Sequence, residues 1–399
     1  MSQLDVLIYA HDGRGLGHVS RSIGVALALR RLRPELRILL VTGCKATQEL
    51  IGTTPIDWVK LPSYEAIEQN GLSISTVGSS NFSAKETTTI RSNILKEYLR
   101  TLRPKLVLVD HMPDGKYSEL VESLNCPESS NTIWVLGIRA VVGNVAEIWS
   151  PQVDKLFLSS YKHALWYGAL ALQGVQYFDE LNKKLHERAT PCGYVSRAVE
   201  LEKWNGIPEI EDNDIIGVAA FSWVSENTLN ILEMLVEVLS SGKTICGKWT
   251  VFVGEGSMGV RRTNIISTLS KIPSCNVLPF SVKYLGYLKK ARVALMYGGY
   301  NTITDILWAK VNTLLVTRHA YDDEQELHAL NLLQLADPDI RLLKEREVTV
   351  HTLGLILEQL LTLHPFHPQR KRLVELDGSE VAAKFLSDVV DNETSNDYT

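Results

Sequence analysis

No stretch of this 399-residue chain is long and uniformly apolar enough to span a bilayer. The N-terminus lacks the basic flank and long apolar region of a secretory signal, because Asp5 opens a short strand that ends at Ala10. A soluble, cytoplasmic protein is the expectation. Cysteine is scarce, and the five present (Cys44, Cys126, Cys192, Cys246, Cys275) have no paired spacing. That argues against a disulfide frame or a zinc site and leaves small buried thiols. Basic residues are not in excess: the formal net charge is −5 and no Lys/Arg stripe stands out, which argues against a duplex-binding surface and against nucleic acid as a partner. With 45% of residues apolar and 22% charged, the chain has enough material for two cores.

Short β-branched or leucine-rich runs alternate with helical periods, the signature of parallel βαβ construction. In the first half DVLIYA, RILLVTG, WVKLP, KLVLVDH, TIWVLGI and KLFLSS read as strands, with helices at about 18–32, 86–102 and 115–124 and a polar Ser/Thr-rich stretch at 73–89. The segment 193–214 changes character, with a Gly-Ile-Pro turn and an acidic cluster. The second half restarts with DIIGVAAF, a helix at about 225–240, KWTVFVG, a helix at 260–271, CNVLPF, ARVALMY, a helix after 301 and NTLLVT. The reading is an α/β protein of two Rossmann-like domains. Residues 1–197 form the first domain, 198–213 a linker, 214–365 the second domain, 366–390 a final helix pair and 391–399 a solvated tail.

Two glycine corners occupy matching positions, DVLIYAHDGRGLGHVSR at 5–21 and ARVALMYGGYNTITD at 291–305. Each turns an apolar strand into a helix. A helix N-terminus offers unpaired N–H groups and partial positive charge, and glycine lets a ligand approach that backbone. Two such seats predict a cleft between domains.

Other familiar signals fail on inspection. GRGLGH at 13–18 has His18 where a dinucleotide fingerprint needs its last glycine, and the second strand ends without an acidic residue for a ribose. SSGKT at 240–244 resembles the end of a phosphate loop, but Glu237 replaces the first glycine and the segment closes a helix. DND at 212–214 and DPD at 337–339 lie in turn-forming sequence. HPFHP at 364–368 separates its histidines by turn residues, which favours packing over metal ligation. The aromatic stretch 164–178 has helix-like spacing and reads as core, with an apolar acceptor pocket as the alternative.

YGGYNTITD at 297–305, followed one strand later by DDEQELHALNL at 322–332, resembles the nucleotide-sugar half of the GT-B glycosyltransferases. DGRGLGHVSR at 12–21, VDHMPDGK at 109–116 and PCGYV at 191–195 extend the resemblance, in order, to MurG-like family 28 enzymes and a related bacterial group. The resemblance implies two Rossmann-like domains facing a central cleft, with a C-terminal helix crossing back to the N-terminal domain. It implies an inverting, metal-independent hexosyltransferase that takes sugar from a nucleoside diphosphate, most plausibly UDP, to a small-molecule or natural-product acceptor. The nucleotide sugar is then a co-substrate, and no further cofactor is required.

By the same resemblance Asp305 closes on the ribose hydroxyls, and Asp323, Glu324 and Gln325 contact the sugar. Gly298 and Gly299 admit the pyrophosphate, while Asn301 and Thr302 donate or cap. Helix-start chemistry explains these residue types too. In the first domain an inverting transfer needs a base, and His18, directly after the glycine corner, is the leading candidate. A histidine that only binds phosphate or fixes the loop is the alternative. Asp110 and His111 end a strand at the ligand edge of the sheet, where Asp110 either orients a histidine, acts as the base or serves as a turn residue. Gly15, Gly17, Arg21 and Arg139 are assigned to an acceptor or phosphate loop, with surface ion pairs as the commoner fate of arginine.

One segment departs from the related group. Where those chains run into a glycine-rich loop beside the diphosphate, this one reads AAFSWVSENT at 219–228, placing Phe221 and Trp223 where the relatives have open backbone. Ser222 or Ser225 is a possible phosphate donor there, and Gly254 or Gly256 at the next strand end either lines the nucleotide pocket or makes a plain turn. The departure leaves two other readings in play, a nucleotide-sugar hydrolase or epimerase and a non-catalytic nucleotide-sugar-binding protein.

Overall fold

The computed structural model describes residues 3–11, 16–69, 72–77, 80–140, 148–212, 214–241, 245, 247–254, 259–318, 324–334, 340–363 and 374–396, without the side chains at 65–69, 72–76, 173, 324–325, 334 and 393–396. The chain divides into two compact units, Met1–Gly206 with Val374–Thr399, and Ile207–Leu373.

The first unit is built on β1 (Val6–Ala10), β2 (Ile38–Thr42), β3 (Trp58–Lys60), β6 (Leu106–Asp110), β7 (Ile133–Arg139), β8 (His163–Tyr167) and β9 (Ala189–Pro191). They form one sheet in the order β3-β2-β1-β6-β7-β8-β9, with every paired neighbour parallel. β1 and β6 are buried along their whole length, and such strands read as continuous apolar runs rather than alternating ones. The strand order reverses between β1 and β6, and the carboxyl edge at that reversal is where open α/β sheets bind ligands. A separate antiparallel hairpin, β4 (Glu65–Gln69) and β5 (Leu72–Thr76), precedes the helix Ala84–Leu102. Ser83 and Glu86 start that helix with a capping box, Ser83 Oγ accepting from the Glu86 amide at 3.3 Å and Glu86 accepting from the Ser83 amide at 2.9 Å.

The final helix, Gly378–Asn396, packs on the helix Gly17–Leu32 and completes this first unit. Arg31 holds it at both ends of one fork, to Glu200 at 3.0 Å and Glu380 at 2.9 Å. Lys384, Lys203 and Arg31 together hold the Glu380 carboxyl down at about 2. Gly378 sits where a Cβ would stand 2.5 Å from the Gly193 carbonyl oxygen. Gly378→Val is therefore expected to destabilise the protein by about 1–3 kcal/mol through overpacking, read by thermal denaturation; an unchanged midpoint would refute this account of the glycine.

Several sequence expectations change. KLFLSS is the end of a helix, Pro151–Ser160, because Ser150 Oγ caps the Val153 amide and Pro151 presets the first turn. The strand is the next segment, β8. The expected helix near 115–124 is broken into short turns at Lys116–Ser118 and Val121–Leu124, since Gly115, Tyr117 and Ser118 all adopt positive φ. Residues 198–203, read as linker, lie in the helix Arg197–Lys203 with Ala198, Glu200 and Leu201 buried in the first unit. Residues 391–396, read as tail, continue the last helix, where Asp391 takes both ends of the Arg33 guanidinium at 2.8 and 3.0 Å. One final helix is described instead of a pair, and residues 364–373 lie outside the described residues.

The second unit carries β10 (Ile215–Phe221), β11 (Lys248–Val253), β12 (Cys275–Pro279), β13 (Val293–Tyr297), β14 (Asn312–Thr317) and β15 (Ile340–Lys344). The order β12-β11-β10-β13-β14-β15 is again parallel throughout and reverses between β10 and β13. Its core joins Phe221, Leu232, Trp249, Leu295, Val316 and Leu357.

Candidate active site

In the first unit the glycine corner and the end of β6 meet at the strand reversal. The helix Gly17–Leu32 presents His18 in its first turn and Arg21 one turn on, at positions three apart that share a face. β6 ends in Asp110. His18 Nδ1 lies 2.5 Å from Asp110 Oδ2, and Arg21 forks onto the same carboxylate, Nη2 to Oδ2 at 2.9 Å and Nε to Oδ1 at 3.2 Å. Arg21 and Asp110 are buried, whereas the His18 side chain keeps 21% of its surface exposed. Asp110 is acceptor-only when ionised, so the short contact places the proton on His18 Nδ1 and leaves Nε2 as a free acceptor. The 3.1 Å approach of Arg21 Nη2 to His18 Nδ1 is then a neighbour contact between two donors.

Charge decides the protonation state. Burial pushes His18 well below its ordinary value of 6.5, and the cations of Arg21, Arg139 and Lys116 add to the effect. Asp110 would oppose this, but its charge is already matched by the Arg21 fork. His18 is thus a neutral imidazole at physiological pH. His111 is pushed down by burial, Arg139 and His18, against the opposing pull of Asp110. Its φ of 68° turns the chain away from β6, its amide donates to the Gly137 carbonyl at 2.7 Å, and its buried Nδ1 has no hydrogen-bond partner. His11, which the sequence reading passed over, stacks on His18 with ring centroids 3.8 Å apart, and His111 lies 6.0 Å from His18. The signal was present, since VLIYAH and VLVDH both end a central strand in histidine.

Arg21, assigned to the acceptor or phosphate loop with a surface ion pair as the alternative, makes a buried ion pair. Its guanidinium is committed to Asp110, so it orients the carboxylate and through it His18. Arg139 ends β7 at the same edge and acts on both histidines through its charge. Gly17 opens the helix, and Gly15 lies outside the described residues.

In the second unit Gly298 and Gly299 join β13 to the helix Tyr300–Ala309. A Cβ on Gly299 would meet nothing within 4 Å, and one on Gly298 only Thr317 at 3.8 Å and the Val316 carbonyl oxygen at 3.9 Å. Neither has a positive φ, so neither packing nor backbone conformation demands glycine. No side chain caps this helix, and Asn301 and Thr302 do not supply the expected cap. Asp305 lies in the second turn and is buried, beyond the first turn in which the helix dipole favours an acid. Gly254 is explained by packing, because its Cβ would stand 2.2 Å from the Ser222 carbonyl oxygen. Ser225 is occupied by a capping box with Thr228, whereas Ser222 is exposed. Gly256 and Asp323 lie outside the described residues, as do the side chains of Glu324 and Gln325.

Of the stretch 164–178, Ala164–Tyr167 is core, with Trp166 fully buried and its ring 5.4 Å from the half-buried Phe178, whereas Val175 is exposed. A recess of about 550 Å³, lined by Ile215, Gly247, Lys248 and Arg292 among others, lies at the amino edge of the second sheet, opposite the glycine corner. Among the described residues no cluster of His, Cys, Asp or Glu is arranged to hold a metal ion, and Cys126, Cys192 and Cys275 are buried free thiols. No helix among them is long and apolar enough to cross a membrane.

Two parallel, doubly wound sheets, each reversing its strand order beside a glycine-led helix, define a protein of the GT-B fold class. Residues 241–373 match the family model of the glycosyltransferase family 28 C-terminal domain, which supports a GT-B glycosyltransferase resembling that family. Solved structures share the fold at low identity. Arabidopsis thaliana UGT89C1, complexed with UDP-L-rhamnose, is 10% identical with a TM-score of 0.63, covering 98% of this chain and 99% of its own. The glycotransferase of kitacinnamycin is 15% identical with a TM-score of 0.56 and 99% coverage of both chains. UDP-GlcNAc 2-epimerase from Methanocaldococcus jannaschii is 11% identical with a TM-score of 0.59, covering 96% of this chain and 99% of its own. No curated protein sequence matches the chain significantly.

Proposed function

We propose that the protein transfers a hexose, with inversion, from a nucleoside-diphosphate sugar to the hydroxyl of a small-molecule acceptor. The observation that carries this reading is the neutral His18, with Nδ1–H fixed on Asp110 and Nε2 left as an acceptor. In the transfer, the acceptor oxygen forms a bond to the anomeric carbon as its proton passes to His18 Nε2. The bond from that carbon to the diphosphate breaks, and its electron pair leaves on the diphosphate oxygen. Asp110 stabilises the imidazolium that results, and Arg21 keeps Asp110 in place. Asp110 and Arg21 are positioning residues; His18 is the base.

The donor is assigned to the second unit, with the diphosphate at Gly298–Gly299 and the ribose at Asp305. The open space at both glycines supports this, as does the family match over 241–373. UDP is the preferred nucleotide, because UGT89C1 is recorded with UDP-L-rhamnose, and an aromatic alcohol is a reasonable first acceptor because the same protein is recorded with quercetin. Helix N–H groups and nearby cations would take the leaving charge without a metal ion. The test is calorimetric titration with UDP, GDP, TDP and their sugars, on the wild type and on Asp305→Ala. Binding of one nucleotide that is lost in the variant supports the donor seat, and no binding by any of them defeats it. Incubating a bound nucleotide sugar without acceptor then separates the readings: free sugar or an isomer would indicate the hydrolase or epimerase, which shares the fold with the M. jannaschii enzyme.

The depressed histidines give two pH predictions. Because His18 titrates well below 6.5, kcat/KM should hold its plateau below that pH and fall only as His18 itself protonates. A profile that breaks at or above 6.5 would contradict the neutral base. For stability, the unfolded chain binds protons at His18 and His111 at higher pH than the folded chain does. The stabilisation is therefore complete above the unfolded value near 6.5 and is lost as pH falls below it, toward the lower folded values. Urea titrations should show this decline, reduced in His111→Asn.

A further inference from the structure

Among the described residues of the second unit, Arg262 and Arg318 have no carboxylate partner and each also holds a buried Nε without an acceptor. Arg318 follows β14, its guanidinium carbon 4.5 Å above the Tyr297 ring and its Nη2 3.5 Å from the Trp223 carbonyl oxygen. Its Nε is shut off from solvent without an acceptor. Arg262, in the helix Gly259–Ser270, donates from Nη2 to the Gly254 carbonyl at 2.7 Å, and its Nε is likewise buried and unpartnered. The contrast with its neighbour is direct, since Arg261 is paired with both Glu226 and Glu233. The carboxylate nearest the Tyr297 hydroxyl, Glu345, is engaged by that hydroxyl at 2.7 Å and by Asn227 at 2.9 Å.

Both arginines rest on one stretch of backbone. Arg318 reaches Trp223, and Arg262 reaches Gly254, which packs directly on Ser222 and donates its amide to the Phe221 carbonyl at 2.7 Å. Phe221 to Trp223 is the bulky segment that replaces open glycine backbone. It lies at the carboxyl edge, one strand from Gly298, whose nearest neighbour is Thr317, the residue before Arg318. Both arginines are half-buried; a buried Nε without an acceptor is costly, and a guanidinium without a carboxylate partner at a ligand edge suits an anion from outside.

We infer that Arg262 and Arg318 hold the diphosphate of the nucleotide ligand, supplying as charge what a glycine-rich loop supplies as backbone N–H groups. The inference rests on the donor assignment to this unit. The diphosphate accepts from the Nη1 groups, which unlike Nε are not shut off from solvent and are not used by Gly254 or Trp223, and the aromatic face of Tyr297 keeps the Arg318 fork in place.

The experiment titrates the full chain with UDP, uridine and inorganic pyrophosphate, for wild type, Arg262→Gln, Arg318→Gln and Arg318→Lys, after thermal unfolding confirms that each variant is folded. Each glutamine variant should weaken UDP about tenfold or more while leaving uridine binding unchanged, and Arg318→Lys should recover part of the loss. A merely structural role would move uridine and UDP together. An unchanged ratio of UDP to uridine affinity in both glutamine variants overturns the inference. Pyrophosphate binding that depends on the arginines, in a wild type that binds no nucleotide, keeps the anion seat and defeats the nucleotide reading. A wild type that binds none of the three defeats both.

Discussion

His18→Ala should lower the rate of sugar transfer by roughly a hundred- to ten-thousand-fold while leaving nucleotide binding by calorimetry intact. Loss of rate follows because no other described group combines a fixed proton on one ring nitrogen with a free acceptor on the other. Binding should survive because the proposed donor residues lie in the second unit. The split between rate and binding is the decisive readout. Turnover within a few-fold of wild type would remove His18 as the base, and parallel loss of binding would make it a ligand contact. Asp110→Asn tests the positioning. It removes the acceptor that fixes His18 Nδ1–H and leaves the buried Arg21 without its counter-charge. The variant should therefore lose rate and also unfold at lower denaturant. A variant that loses stability alone would mean that the Asp110 contact does nothing for the imidazole.

Glu119→Ala should cost about 3–5 kcal/mol of stability, the largest single loss expected outside the apolar core. Glu119 and Arg91 are both fully buried and joined by two contacts, at 2.5 and 2.8 Å. The same carboxylate takes the hydroxyls of Tyr9 and of Tyr64, the latter at 2.8 Å, and burial, with the Glu119 charge adding to it, drives the Tyr64 phenol up. Truncating Glu119 removes the carboxylate from a buried cation and an acceptor from two hydroxyls at once, although Tyr64 keeps Thr88 Oγ1 at 3.0 Å and Arg91 keeps the Pro62 carbonyl at 2.8 Å. Replacing the pair together, Arg91→Met with Glu119→Leu, should restore much of the loss, because no charge is then left alone. Guanidinium unfolding of the two variants checks this. A single substitution costing under about 1 kcal/mol would mean that water reaches the site and screens it.

How much of this was readable in the residues depended on whether local chemistry decided the outcome. Strands such as VLIYA and VALMY were legible because a parallel strand buried on both faces must be apolar throughout. KLFLSS carried the same apolar content but was governed by Ser150 and Pro151 upstream of it, and those starting residues outweighed the run itself. The hairpin β4–β5 and the helix Val350–Thr362 are not among the elements read from the sequence, the first because its strands are half polar. At the site, His18 and Asp110 could be picked out by their places at strand and helix ends, but their pairing across 92 positions required the fold. Arg21 was picked out for its charge and proved to be bound to Asp110. Arg262 and Arg318 had no motif at all; what marks them is a buried Nε without an acceptor and, among the described residues, no carboxylate partner, which only three dimensions reveal.

The last helix has a consequence for synthesis. The ribosome finishes residues 207–373 before Gly378–Asn396 emerges, yet that helix covers the apolar face of Gly17–Leu32 and brings Glu380 to Arg31. The first unit must therefore wait, with Gly24 lacking its Ser379 neighbour, while the second unit is made and free to fold. During translation the order of completion is inverted relative to the order of the chain. A nascent polypeptide halted near residue 373 would present a finished second unit and an open first one, and a chaperone that recognises exposed apolar helix would meet the protein there.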